Sequence, residues 1–65
     1  MTTEPTDGNE IFVEFVVQGT VVKVTAIDSK SGTEASIMGP ANASRAALHD
    51  AAIRKLDYVM KKKRG

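Results

Sequence analysis

The chain has no cysteine and no tryptophan, and its only imidazole is His49. Without thiols there is neither a disulfide framework nor a thiolate metal site. One histidine cannot supply the several ligands that a metal centre needs. No cofactor site is legible. Apolar runs are short as well: the longest, Ile11 to Val17, is broken by Glu14. It is neither a membrane span nor a signal-peptide core. An excess of one charge is also missing. Nine Lys/Arg against eight Asp/Glu leave a formal charge of +1, which by itself implies no polyanionic partner.

The chain of 65 residues falls well below the ~150 that serve as a prior for one domain. A domain this short buries only about 60% of the surface its unfolded chain exposes. With no disulfide or metal to help, close packing or self-association must make up the difference. Any apolar surface left over after folding is therefore informative.

Residues Met1 to Asn9 show no periodicity and read as a disordered leader. From Glu10 onward Ile11, Val13, Phe15 and Val17 alternate with Phe12, Glu14, Val16 and Gln18, the pattern of a strand. Thr20 to Asp28 forms a second strand, with Val22, Val24 and Ala26 on one face. A Gln18-Gly19 loop places Phe15 opposite Val22, Val13 opposite Val24 and Glu14 opposite Lys23, a favourable charge pair. A Gly19-Thr20 loop keeps the same faces and loses that pair, so the first register is expected.

Asp28 to Thr33 is a turn of residues that bond their own backbone. With Asp28 facing Thr33, Ala26 opposes Ala35 and Val24 opposes Ile37. The third strand runs from about Thr33 to Met38, where Gly39-Pro40 stops it. Asn42 or Ser44 caps a helix reaching about Lys62, with Leu48, Ala52, Leu56 and Val59 on its apolar stripe. The fold class is α+β. It is a three-stranded antiparallel meander followed by one C-terminal helix on one sheet face (β-β-β-α). Residues 10–62 form the single domain and 63–65 a basic end. The expected core is Val13, Phe15, Val22, Val24, Ile37, Leu48, Leu56 and Val59.

Catalytic constellations are missing too. His49 borders the helical stripe next to Ile53, and Asp50 points to another side of the helix. Ser29, Ser31, Ser36 and Ser44 have no base and orienting group arranged behind them, as nucleophilic catalysis requires. The chain is not expected to be an enzyme. Two features remain. The second sheet face displays Phe12, Val16, Val21, Lys23, Ile27 and Met38, mixing large apolar and charged groups where a solvated face alternates to polar residues. The other feature is basic: Arg45, Lys55, Lys61, Lys62, Lys63 and Arg64 could contact phosphates. Cations near a helix C-terminus also interact favourably with its macrodipole.

The segment Ser44-Arg45-Ala46-Ala47-Leu48, with Ala51-Ala52 and Leu56, resembles the last helix of double-stranded-RNA-binding domains. The order of three strands and then a helix matches as well, and the resemblance implies duplex RNA contacts at the helix start. Only Arg45 stands for the two basic residues usual there, and the chain has no room for that family's first helix. The run Ile37-Met38-Gly39-Pro40, with Thr25 to Asp28, Gly32-Thr33-Glu34, Leu48, Ala52, Lys55-Leu56 and Tyr58-Val59, is similar to a family of short uncharacterised alphaproteobacterial proteins. That likeness implies a bacterial cytoplasmic setting and no activity. The function expected is a non-catalytic protein-interaction module, a homodimer or bound to a larger protein through the open sheet face. The alternative is a nucleic-acid-binding module using the basic residues.

Overall fold

The computed structural model describes the backbone of residues 2–6 and 9–64 and the side chains of residues 10–62. Four strands precede one helix: β1 (Thr2–Thr6), β2 (Asn9–Gln18), β3 (Val21–Asp28), β4 (Glu34–Pro40) and α1 (Arg45–Arg64). The strands form one antiparallel sheet in the order β1-β2-β3-β4. The expected meander with a C-terminal helix is thus β2, β3, β4 and α1. To it is added β1, on residues that the sequence reading assigns to a disordered leader. Thr6 pairs with Asn9 across the dipeptide Asp7-Gly8, a sequence type that two-residue hairpin loops favour. Met1, Asp7 and Gly8 themselves lie outside the described residues.

Pairing of β2 with β3 corrects the expected register. Gln18 faces Val21 across a Gly19-Thr20 loop, so Phe15 opposes Val24, Val13 opposes Ala26 and Glu14 opposes Thr25. Gly19 has φ +63°. A two-residue hairpin loop requires positive φ at its first position, which glycine takes without steric cost. The lost Glu14–Lys23 opposition was worth only ~0.2–1 kcal/mol, and the glycine's position decides. Between β3 and β4 the expected register holds, with Ala26 opposite Ala35 and Val24 opposite Ile37. β4 does not stop at Met38, because Pro40 still pairs with Val21. Thr33 carbonyl accepts from Asp28 N–H at 2.8 Å. By alternation the backbone groups of Glu34, Ser36, Met38 and Pro40 then point away from β3. The missing N–H of Pro40 thus falls on the free edge, where a proline costs no ladder bond.

The helix begins where Ser44 caps it: Ser44 Oγ accepts from Ala47 N–H at 3.1 Å. α1 packs chiefly across β4 and β3. Val13, Val22, Val24, Ala26 and Ala35 of the sheet are buried against Leu48, Ala52 and Leu56 of the helix. Small residues set the spacing. A Cβ at Gly39 would stand 2.6 Å from Leu48 Cδ2, so the bare position makes room for the Leu48 side chain as placed. Phe15, Ile37 and Val59, expected at the centre, are half-buried at its margin. Val17 lies on the helix side of the sheet yet is 66% exposed, because α1 does not reach that end of β2.

Candidate interaction surface

The sheet face opposite the helix is built by the residues that alternate with the core set. In the observed register they form cross-strand rows. Phe12, Ile27 and Glu34 make one row, and Glu14, Thr25 and Ser36 the next. Val16, Lys23 and Met38 make the third, and Gln18, Val21 and Pro40 the fourth. Val16 is 38% and Met38 61% exposed, on either side of an exposed Lys23. Phe12, Val21 and Ile27 are half-buried between their neighbours. Thr25 and Ser36 hydroxyls hydrogen-bond each other at 2.9 Å in the middle of the face. The sequence reading made Val16 and Val21 direct partners and gave Lys23 a flanking Glu14. The two-residue shift instead puts Lys23 directly between Val16 and Met38. All six residues expected on this face are there, and the row they centre on is different.

The basic residues do not gather into one surface. Arg45 opens the helix with its guanidinium 4.6 Å from the Phe15 ring centroid, a cation–π contact. Lys55 Nζ donates to the Ser36 carbonyl at 2.7 Å, reaching over the free edge of β4. Lys61 Nζ pairs with Asp57 Oδ2 at 3.2 Å, and Lys62 Nζ stands 5.7 Å from the Tyr58 ring. Roughly 24 Å of helix axis, at ~1.5 Å per residue, separates Arg45 from Lys61. The side chains of Lys63 and Arg64 lie outside the described residues.

Polar groups elsewhere serve the backbone. The Asp28 carboxylate accepts from Ser31 N–H at 3.1 Å and from Ser31 Oγ at 2.7 Å. These bonds, the hydroxyl foremost, hold the Asp28 carboxyl below its ordinary value against the opposing effect of burial. Together with the Gly32 N–H to Asp28 carbonyl bond of 2.7 Å and Gly32 at φ +76°, they lock the β3–β4 turn. His49 Nδ1 lies 3.4 Å from Asp50 Oδ1, nearer than the sequence reading placed the two. A shallow hollow at the hairpin end is lined by Thr20, Val21, Met38, Pro40 and Asn42 with neighbouring glycines and Ala41, and it has no titratable side chain. Among the described residues no group of three His, Cys, Asp or Glu could hold a metal ion. No described helix is long and apolar enough to cross a membrane.

Sequence reasoning missed the value of β1 and of the β2 edge beside it. The signal was Asp7-Gly8, placed between Thr6 and the start of an alternating strand. Neither the comparison with curated proteins nor that with solved structures returns a match. A family model covers residues 8–63, nearly the whole of the chain from the end of β1 to the last turn of α1. The chain belongs to the family described as Domain of unknown function (DUF6898).

Proposed function

We propose that this chain is a small non-catalytic interaction module whose open sheet face binds protein, either a second copy or a larger partner. The row Val16–Lys23–Met38 carries this reading, since it leaves two exposed apolar side chains around one cation on a face that no described element covers. Burying such surface contributes ~25 cal/mol per Å². Glu14 and Glu34 on the same face offer carboxylates to a facing Lys23, so a second copy is not electrostatically excluded. A bacterial cytoplasmic setting agrees with the sequence resemblance. The nucleic-acid reading draws less support, because Arg45, Lys55, Lys61 and Lys62 each have a partner within the chain and span the length of the helix.

The test is Met38→Lys beside the wild type, with binding measured against proteins co-purified from the source cells. The variant should keep its circular dichroism and lose binding at least tenfold, because an unpaired charge desolvated at an interface costs several kcal/mol. Retained binding would move the contact elsewhere. A salt-sensitive affinity for duplex RNA or DNA would favour the nucleic-acid reading instead.

A further inference from the structure

Sheet edges are where strands add, and two of this sheet's edges are interrupted. On β4, Lys55 occupies the outward carbonyl of Ser36, and Pro40 has no N–H to offer. On β1, the alternation that faces Thr2, Glu4 and Thr6 to β2 turns the backbone of Pro5 outward, again a residue without an N–H. A third stretch has no such interruption. Ser29 N–H donates to the Glu10 carbonyl, which fixes the even-numbered residues of β2 as those bonding β3. The odd-numbered residues face the other way, and β1 takes them only as far as Val13, opposite Thr2. Among the described residues nothing pairs with the β1 side of β2 from Glu14 to Gln18, so the backbone groups of Phe15 and Val17 stand open on that edge.

We propose that this half of β2 seats the same half of β2 from a second copy, antiparallel about a two-fold axis at Val16. The chain's own pattern favours this occupant. Phe15 of each copy meets Val17 of the other, both with outward backbone groups, so each pair can exchange both N–H···O bonds. Val16 meets Val16, and Glu14 meets Gln18 with no like charges opposed. A shift of two residues in one direction would call on Val13, which β1 already uses, and in the other would run into the Gly19-Thr20 loop. The seam covers Val17, 66% exposed on one face, and Val16, 38% exposed on the other. It uses the edge and not the face, so it stands apart from the open-face reading. If both hold, the row Met38–Lys23–Val16 runs on through the axis into its mirror row, and the two open faces become one.

A seam this short buries less than the ~1,200–2,000 Å² of a standard interface, so association should be weak. Solution mass is measured from roughly 10 µM to 1 mM, the range of weak complexes, with amide hydrogen exchange followed by NMR over the same range. The mass should rise from 7.0 kDa toward twice that value. Protection of the Phe15 and Val17 amides should grow with it at least tenfold. Val17→Pro removes one seam N–H and no internal bond, and should hold the mass at that of one chain. Met38→Lys, outside the seam, should associate as the wild type does. A wild type that stays single at 1 mM overturns the proposal, as does a dimer whose Phe15 and Val17 amides exchange freely. Loss of the dimer in Met38→Lys would place the contact on the open face and overturn it too. Should Val17→Pro fail to fold, the wild-type amides still decide.

Discussion

At Asp28 one side chain does the work of a turn. The Ser31 hydroxyl and N–H favour its ionised form, so its folded pKa lies below the ordinary 3.8. The stabilisation is therefore fully present above that ordinary value and is lost as pH falls through the lower folded one. Ser31→Ala should raise the Asp28 pKa, read by NMR titration of its carboxyl, and move the acid-unfolding midpoint to higher pH. An unchanged Asp28 titration would show that the hydroxyl is not its main support. Gly39 is the second decisive residue. Gly39→Val puts atoms where Leu48 Cδ2 stands and should cost ~1–3 kcal/mol by overpacking. Leu56→Ala, at a fully buried site, should cost ~2–5 kcal/mol and exceed Phe15→Ala at the half-buried margin, which chemical denaturation can rank.

Among the elements, the faces of β2, β3 and β4 were legible because side chains alternate with period two. Their register was less so. The two candidate loops differ by a shift that keeps every residue on its face, so hydrophobic pattern cannot choose between them. The choice lay in the backbone of Gly19, which a charge-pair argument overlooked. Pro40 misled for a related reason: it breaks a central strand and is harmless on the outer side of an edge strand. β1 has almost no apolar residues, and only the edge of β2 explains it. Removing residues 1–8 should strip β2 of that partner. Melting should then fall by several degrees, at ~4–8 °C per kcal/mol for a domain of this size, and an unchanged melt would show that β1 adds no stability. Ser44→Ala should cost ~1 kcal/mol through the lost helix cap, read as reduced thermal stability.

At the scale of the whole molecule one helix serves a four-stranded sheet, and it lies on β3 and β4. That asymmetry explains an exposed Val17 on the helix side and an open face on the other. The composition of the open face could be read from alternation alone, whereas its centre at Val16–Lys23–Met38 required the register. Met38 and Tyr58 are equally exposed, at 61%, one on that face and one on the helix. They make a matched pair for the central claim, that the open face is where protein binds. A photo-crosslinking residue placed at position 38 or position 58 in living source cells reads it directly. Position 38 should give a discrete protein adduct, the chain itself or a larger partner, and position 58 none. No adduct at 38, equal adducts at both positions, or adducts to nucleic acid would contradict the account.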